Sequence, residues 1–320
     1  MHVTASPTVS IGVPAYNAGD YLDAALASIV AQTYADLEVI VSDNASHDET
    51  EAIGRAWAAR DPRVRYERNE RNLGVVGNYN RLVDLARGRY FKWSAADDVI
   101  EPSLVERSVD ILDRQPETVL VAPRVTLVDA TGAPLPFDAE LRGYVTTYGE
   151  WKAPPVRLRD ELTSDDPVRR FRAVVLRLRD STLAAHTFAL VRRAALLRTH
   201  LLEVKRATDK ILLAELALMG PFEEIDEALF HWRIHPAHFG GQTSVGMMRR
   251  LDPNWSGRFE LARTQQVSGY VRAVAGSDLS LIDRLRCLET IAEKLPRGVI
   301  SQARWRRELR RVERVRSARP

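Results

Sequence analysis

Two adjacent carboxylates at the end of an apolar stretch are the first residues whose chemistry can be named. The stretch Tyr90–Glu101, YFKWSAADDVIE, begins as an aromatic and apolar run and contains Asp97 and Asp98. Such a run predicts a strand, and its polar end predicts a loop at the carboxyl edge of a sheet, where ligands bind in open α/β folds. A carboxylate pair there can hold Mg²⁺ or Mn²⁺ together with ligand phosphates. A solvated turn before the next helix is the alternative, and an isolated Asp-Asp pair favours it.

Polar residues also follow two earlier apolar runs. Residues Pro14–Asn17 come after the run Thr8–Val13, and Ser42–Asp48 come after Leu37–Val41. The ring of Tyr16 offers a flat face on which a nucleobase can stack. The alternative is that Tyr16 is a buried core residue. Polar loops after three of the predicted strands are more than a simple connection requires.

The elements that must position these loops alternate in type along the first half of the chain. A regular βαβα order predicts a parallel sheet with helices on both faces, joined by right-handed crossovers. Two capping boxes, Ser46–Glu49 and Ser103–Glu106, predict helix starts. The predicted strands are Thr8–Val13, Leu37–Val41, Val64–Glu67, Tyr90–Ser94, Val119–Ala122 and Val125–Val128. The predicted helices are Asp20–Ala31, residues 46–60, Asn78–Arg87 and residues 103–115.

The segment Thr8–Asp98 resembles the inverting family-two glycosyltransferases, which have the GT-A fold. The matching pieces are VSIGVPAYNAGDYLDAALASIVAQTY, LEVIVSDNASHDET, RNLGVVGNYNRLVDLARGRYF and the ADD at Ala96–Asp98. Four motifs in this order and spacing are specific, although each alone is weak. The resemblance implies a Rossmann-like, mostly parallel sheet flanked by helices. It also implies transfer of a sugar from a nucleoside-diphosphate sugar, with UDP or dTDP as the nucleotide, and a Mn²⁺ or Mg²⁺ cofactor.

The resemblance carries a set of nucleotide-binding residues onto this chain. The set is Pro14, Ala15, Tyr16, Asn17, Asp43, Asn72, Gly74, Asn78, Ala96, Asp97 and Asp98. It gives Asp43 the role of accepting the ring N–H of uracil or thymine. Capping of the next helix is the alternative for Asp43, but Ser46 and Asp48 already supply it. The amides Asn72 and Asn78 are also standard loop residues, so a structural role for them stays open.

The metal site implied by the resemblance departs from the family pattern. Asp97 and Asp98 match the aspartate motif, but Ala95 stands where its first aspartate usually lies. We expect Asp97 to be the direct ligand and Asp98 to contact ribose or support Asp97, although the two assignments could be exchanged. His235 is expected to complete the ligand set.

Two motifs in the second half are candidates for the reacting end of the site. Thr208–Met219 resembles the helix that begins with an acidic residue in these enzymes, and here only Asp209 can be the general base that deprotonates an acceptor hydroxyl. A favourable charge at a helix N-terminus is the alternative. Trp232–His235 resembles the R-x-H segment beside the diphosphate, which assigns Arg233 and His235 to diphosphate binding and His235 also to the metal. A structural histidine is the alternative.

The remaining segments are predicted with less detail. The stretch Leu135–Asp166 is predicted to be a long loop, and residues 236–244 a flap that orders on donor binding. Further elements are predicted at Asp166–Arg179, Thr187–Val191, Arg193–Leu201, Ala228–Phe230, Arg258–Val274 and Leu279–Leu295. The expected organisation is a GT-A domain at 1–245, with a nucleotide half at 1–130 and an acceptor half at 131–245, and a helical basic extension at 246–320.

Charge and composition limit the classes of function. The chain has 320 residues and a net charge of +3, but Arg297–Arg319 holds nine arginines and two glutamates, which leaves −4 for the rest. An acidic body without a matching motif argues against nucleic-acid binding. The basic segment predicts a solvated helix, contact with an anionic membrane or self-association as a homodimer. One cysteine, no signal-peptide pattern and no long apolar run predict a cytoplasmic protein, with the inner face of the cell membrane as the alternative place.

Three functions are compared on this basis. A glycosyltransferase acting on a surface-glycan or lipid-linked saccharide acceptor is the leading prediction. A nucleotide-sugar binding protein without turnover is the second, because Ala95 and Thr208 replace expected carboxylates. A nucleotidyltransferase is disfavoured, because no Gly-rich loop with Lys or Arg follows the first strand.

Overall fold

The computed structural model describes residues 6–146, 151–152, 154, 160–176, 186–205, 207–236, 244–256 and 262–294. Its strands are β1 (Val9–Ala15), β2 (Leu37–Asp43), β3 (Val64–Arg68), β4 (Tyr90–Trp93), β5 (Val99–Ile100), β6 (Leu120–Val128), β7 (Phe137–Asp138), β8 (Gly143–Val145), β9 (Trp151–Lys152), β10 (Leu190–Arg192) and β11 (Phe222–Arg233). Its helices are α1 (Leu22–Val30), α2 (Thr50–Arg60), α3 (Gly74–Leu85), α4 (Leu104–Arg114), α5 (Pro167–Leu176), α6 (Arg193–Leu196), α7 (Thr208–Met219), α8 (Ser244–Leu251), α9 (Ala262–Ala275) and α10 (residues 281–294).

One eight-stranded sheet organises the molecule, in the order β3-β2-β1-β4-β10-β6-β11-β5. The first four strands are parallel, with Val9 opposite Leu37 and Tyr90. Strand β10 is antiparallel to both neighbours, and β6 and β11 are parallel to each other. Every residue of β1 and β2 is buried, as expected for parallel strands covered on both faces. The prediction of a mostly parallel sheet flanked by helices is confirmed.

Several predicted boundaries are corrected by the structure. The two strands predicted around Pro123 form the single strand β6, because β11 shifts register between Ile225 and Ala228 and accommodates the proline. Residues 135–166 are not structureless throughout, since β7, β8 and β9 form a small antiparallel sheet. Strand β11 spans twelve residues rather than three. The predicted helix Arg193–Leu201 is the four-residue α6.

Neither predicted capping box forms. Helix α2 begins at Thr50 without a side-chain cap, and the Ser46 hydroxyl accepts the Asn17 N–H at 2.9 Å instead. Ser103 does precede α4 but makes no cap bond, and the carboxylate of Glu106 accepts a bond from the hydroxyl of Thr33 at 2.8 Å.

The helices after residue 245 share the core of the sheet domain. Helix α7 is buried on all sides, from Ile211 to Leu218. Helix α9 lies so close to α7 that a side chain at Gly269 would overlap Ile211. Tyr270 of α9 and Cys287 of α10 belong to the same buried cluster as Trp93. The predicted division into a domain at 1–245 and an extension at 246–320 stays a prediction. The basic part of that extension, at 295–320, lies outside the described residues. Residues 237–243 of the predicted flap lie outside them as well.

Within the described ranges, we find no helix that is both long and apolar enough to cross a bilayer.

Candidate active site

A cleft of about 1080 Å³ lies at the carboxyl ends of the central strands and collects most of the residues singled out by sequence. Its walls come from the loops after β1, β2 and β4, from the starts of α3 and α7, from the end of β11 and from α8. Predicted site residues in the lining are Pro14, Ala15, Tyr16, Asn17, Asn72, Asn78, Ala96, Asp97, Asp98, Asp209 and His235. The lining does not include Asp43, Gly74 or Arg233.

Asp97 and Asp98 are held by the end of β11. Nε2 of His235 lies 3.0 Å from Oδ2 of Asp97, and the ring of His235 packs on Tyr21 at 4.7 Å between centroids. The backbone N–H of Arg233 donates to Oδ1 of Asp98 at 2.9 Å. The two carboxylates thus depend on a strand more than 130 positions away in sequence for their orientation.

Arg233 faces away from the cleft. Its Nε donates to the carbonyl of Asp97 at 2.7 Å, and its Nη1 donates to the carbonyls of Ala130 at 2.9 Å and Asp129 at 3.3 Å. Only 6% of its surface is exposed. The expectation of a diphosphate contact is therefore corrected, because the guanidinium is committed to backbone carbonyls behind the aspartate loop.

Burial gives the aspartate pair an unusual electrostatic environment. Asp98 is almost fully buried, and this burial, together with the charge of Asp97, raises the pKa of Asp98 well above the usual range. Desolvation lowers the pKa of the equally buried Lys92, beneath the loop, to about 7. The charges of Lys92 and Arg233 oppose the rise in the pKa of Asp98, but the cost of burying the carboxylate outweighs them.

The donor set fits a divalent cation shared with a ligand better than a complete protein cage. Asp97 keeps 28% of its side chain exposed and lines the cleft, and it is bonded there to His235. Within the described ranges, no three His, Cys, Asp or Glu residues form a ready metal-binding group. The expected trio of Asp97, Asp98 and His235 is therefore not preassembled. One or two carboxylates with phosphate oxygens are the usual arrangement for Mg²⁺.

Asp43 is fully buried and does not line the cleft. Oδ1 accepts the N–H of Ser46 at 2.9 Å, while Oδ2 accepts bonds from Tyr66 and, at 2.6 Å, from Arg68. Asp43 therefore has a structural role beyond helix capping, because it ties β3 to the loop after β2. Its partners Tyr66 and Arg68 could not be identified from sequence spacing.

The asparagines near the cleft bond mainly to one another. The side chain of Asn78 accepts from Ser42 at 2.6 Å and from Asn69 at 3.0 Å. The amide of Asn44 donates to Asn72 at 2.9 Å and accepts the N–H of Leu73 at 2.8 Å. This network fixes the loop after β2 against the start of α3, so these amides shape the wall of the cleft.

The ring of Tyr16 remains open to a ligand. Tyr16 is 47% exposed and lines the cleft. Asn17 adopts a left-handed conformation with φ of 48°, and its side-chain oxygen accepts the N–H of His47 at 2.9 Å. The turn after β1 therefore projects the ring of Tyr16 outward, where a flat ligand can stack on it.

Asp209 lies at the first turn of α7, deep in the cleft. Ala207 before it adopts the left-handed region with φ of 54°, which starts the helix abruptly. Burial raises the pKa of Asp209, while the charge of Lys210 and backbone N–H groups partly oppose that rise. A carboxylate with a raised pKa at a ligand cleft is suited to accepting a proton near neutral pH.

Sequence reasoning missed the cationic side of the cleft. Lys205, Arg249 and Arg250 line it, and the charge of Arg250 acts on Tyr79, whose hydroxyl also feels Asp97 and Asp98. No motif marked these cations. The Arg249–Arg250 pair was visible only as an ordinary basic dipeptide, because the packing of α8 on α3 decides its place.

The model for glycosyl transferase family 2 matches residues 10–198 of this chain. The chain belongs to glycosyl transferase family 2. This family-two chain is 28% identical over 255 residues to a chondroitin synthase of Escherichia coli, an alignment that covers 80% of the chain but only 32% of that synthase. It is 26% identical to an uncharacterized glycosyltransferase of Haemophilus influenzae, with 74% of the chain and 68% of the relative aligned.

Solved structures share the fold of this glycosyltransferase. TarS of S. aureus, residues 1–349 in complex with UDP, has a TM-score of 0.59 at 15% identity, covering 90% of this chain and 70% of TarS. A mannosyltransferase from Pyrobaculum calidifontis, in complex with GDP-Man and Mn²⁺, has a TM-score of 0.50 at 15% identity, covering 97% and 87%. The GT-A fold expected from the motifs is confirmed.

Proposed function

We propose that this glycosyltransferase inverts configuration while it moves a sugar from a nucleoside-diphosphate sugar to a hydroxyl of a saccharide acceptor. The observation that carries the proposal is that Asp97, Asp98 and Asp209 line one cleft of a family-two chain, although more than 100 residues separate the pair from Asp209. A cation-binding end and a proton-accepting end are the two groups that such a transfer requires.

The base end favours a flat, uncharged ring. Tyr16 stacks on the nucleobase, and Asn17 and Asn72 border it. Asp43 supports this wall from behind through Ser46 and Arg68. UDP or dTDP is the proposed nucleotide, and Asp43 reaches its ring N–H if a ligand displaces one of these partners.

At the diphosphate end, Asp97 is the proposed cation ligand, with Asp98 beside it and His235 orienting Asp97. A bound Mn²⁺ or Mg²⁺ would neutralise charge that develops on the leaving oxygen. Arg250 lies on the same side, near Tyr79, and adds positive charge for the phosphates.

The transfer itself uses Asp209. The oxygen of the acceptor hydroxyl attacks the anomeric carbon, and its proton passes to the carboxylate of Asp209. The bond from that carbon to the diphosphate oxygen breaks, and both electrons leave with the nucleoside diphosphate. Because attack and departure are in line, the anomeric configuration inverts. The chondroitin synthase relative supports a saccharide acceptor, and a surface glycan or lipid-linked saccharide is the proposed class.

A nucleotide-sugar binding protein without turnover is the second candidate. It is favoured by Ala95, which lines the cleft where a carboxylate would complete the aspartate motif, and by the lack of a ready metal cage among the described residues. Both candidates predict donor binding, and only the first predicts release of the nucleotide.

Calorimetric titration with UDP, dTDP and GDP, with and without Mn²⁺, tests the nucleotide and the metal. We expect UDP or dTDP to bind better than GDP, and Mn²⁺ to tighten binding by at least about tenfold, or 1.4 kcal/mol. The Asp97→Ala variant should lose this effect of Mn²⁺. The matched control Asp84→Ala, at an exposed position outside the cleft, should keep it. Equal binding of all nucleotides, or an unchanged effect of Mn²⁺ in Asp97→Ala, would refute these assignments.

A further inference from the structure

Thr187 carries a buried hydroxyl that has no hydrogen-bond partner among the described residues. Only 6% of the residue is exposed, and it lines the cleft. Within the described ranges, Oγ1 of Thr187 is the one buried side-chain oxygen or nitrogen of the cleft lining that lacks a partner. Burying an unbonded hydroxyl costs free energy, so such a group in a folded protein requires an explanation.

The other buried polar side chains that line the cleft are bonded within the protein. The hydroxyl of Thr208 accepts the N–H of Glu203 at 2.6 Å. The amide of Asn44 donates to Asn72 at 2.9 Å. An unbonded hydroxyl is therefore a property of Thr187 and not of the cleft wall in general.

The turn that carries Thr187 is anchored from below. It is a 3₁₀ turn of residues 186–188 that leads into β10. The ammonium group of the buried Lys92 donates to the carbonyl of Phe188 and, at 3.2 Å, to the carbonyl of Trp93. Because this one group joins the turn to the end of β4, Thr187 is held in place without a bond from its own hydroxyl.

The register of the sheet brings this turn close to the aspartate loop, Ala95–Asp98. Strand β10 is antiparallel to β4, with Val191 opposite Phe91. The residues before β10 therefore lie toward the carboxyl end of β4, where Ala95 begins the aspartate loop and lines the cleft. Thr187 is thus a neighbour of the loop to which we assign the cation and the diphosphate.

We propose that the hydroxyl of Thr187 binds a hydroxyl of the transferred sugar in the donor. A threonine hydroxyl both donates and accepts, as a sugar hydroxyl does, and it carries no charge. The transferred sugar is covalently attached to the diphosphate, so it is the neutral part of the ligand that lies nearest to the aspartate loop on the reacting side. This inference rests on the proposed function, because it takes a nucleoside-diphosphate sugar as the ligand.

The unbonded hydroxyl has opposite effects on stability and on binding. In the free protein, replacing it by the methyl group of valine keeps the shape of Thr187 and removes a buried polar group without a partner. In the complex, the sugar hydroxyl supplies that partner, so the same replacement loses a hydrogen bond. A hydroxyl that served only the structure would instead stabilise the free protein.

Calorimetric titration of the full chain with Mn²⁺ tests the inference. The ligands are UDP, UDP-glucose, UDP-galactose and UDP-N-acetylglucosamine, with dTDP, dTDP-glucose and dTDP-rhamnose as the second series. For the nucleotide sugar that the parent chain binds best, we expect Thr187→Val to weaken binding by about three- to tenfold, while binding of the free nucleotide is unchanged. Thr187→Ser keeps the hydroxyl and should recover most of the affinity. The Tm of Thr187→Val should equal or exceed that of the parent.

Thr290→Val is the matched control. Thr290 is also buried, but it lies on α10 outside the cleft, and its hydroxyl donates to the carbonyl of Arg286 at 3.1 Å. This variant should lower the Tm and leave the binding of nucleotide and nucleotide sugar unchanged.

Three results would overturn the inference while the proposed function stands. One is unchanged binding of the nucleotide sugar by Thr187→Val. Another is an equal loss for the nucleotide and the nucleotide sugar, which would assign Thr187 to the nucleotide or to the shape of the cleft. The third is a lower Tm of Thr187→Val with weaker binding that Thr187→Ser does not restore, which would assign a structural role. A parent chain that binds no nucleotide sugar would contradict the proposed function itself, and this inference would fail with it.

Discussion

The burial of Asp209 has opposite consequences for stability and for catalysis. Its pKa is raised by burial, so the folded state holds the proton of Asp209 more tightly than the unfolded state does. The stabilisation from this proton is present below the ordinary aspartate pKa and is lost as pH rises through the folded value. Above the folded pKa, the charged form of Asp209 therefore lowers the free energy of unfolding relative to its value in acid.

The variant Asp209→Asn separates the two demands. We expect the transfer rate to fall by about 10²–10⁴-fold, because no group accepts the proton of the acceptor hydroxyl. The Tm at neutral pH should stay the same or rise, and this difference should vanish in acid. For the parent chain, the acid limb of kcat/KM should lie above the pKa of an ordinary aspartate. A variant that kept full transfer would remove Asp209 from the mechanism.

Arg250 offers a test of the phosphate end that leaves the aspartates in place. Because Arg250 lines the cleft and its charge acts on Tyr79, as the charges of Asp97 and Asp98 do, we expect Arg250→Gln to weaken UDP binding by about tenfold, or 1.4 kcal/mol, while uridine binding is unchanged. Arg114→Gln, which removes an exposed arginine paired with Asp110 outside the cleft, is the matched control. Equal losses for UDP and uridine would show that Arg250 acts on the shape of the cleft and not on phosphate.

At the scale of elements, the contact between α3 and α8 controls the cationic wall of the cleft. Gly74 begins α3 with φ of +74°, a left-handed conformation that favours glycine. A Cβ there would overlap the carbonyl oxygen of Leu251 and approach Cδ of Pro253 to 2.8 Å. Gly74 was expected to contact the nucleotide. In the structure its lack of a side chain allows the end of α8 to pack against the start of α3.

The variant Gly74→Ala should therefore act through α8. We expect a loss of about 1–3 kcal/mol in the free energy of unfolding, from the strained φ and the displaced helix. UDP binding should weaken with it, since α8 carries Arg249 and Arg250. Chemical denaturation and titration measure the two effects. Gly276→Ala is the control, because a Cβ there would only reach ordinary contact at 3.5 Å. Unchanged stability of Gly74→Ala would contradict the close approach of α3 and α8.

Over the whole molecule, sequence patterns predicted the parts of the fold that local burial decides. Strands β1, β2 and β4 are short, largely apolar runs buried in the sheet, so their positions followed from composition. Most of strand β11 was missed because the acidic residues Glu223, Glu224 and Asp226 are typical of a loop. In the structure this segment pairs with β6, and none of these three side chains is fully buried.

The candidate site was predictable where parallel strands place their following loops at one edge. That rule brought Tyr16 and Asp97 into one cleft. It could not place Arg250, which is brought beside Tyr79 only by packing of α8. Nor could it reveal that Arg233 bonds to backbone carbonyls and Asp43 to Tyr66 and Arg68, because those partners are fixed by three-dimensional contacts and not by spacing.

Turnover of a nucleotide sugar distinguishes a glycosyltransferase from a protein that only binds the donor. The full chain is incubated with UDP- and dTDP-sugars, Mn²⁺ and saccharide acceptors, and released nucleoside diphosphate is measured beside the anomeric configuration of the product. We expect release that depends on the acceptor and a product of inverted configuration, with the rate reduced by at least about 10²-fold in Asp209→Asn. Donor binding without release for any acceptor would contradict transfer and favour the binding-protein candidate, and a product with retained configuration would contradict the in-line mechanism.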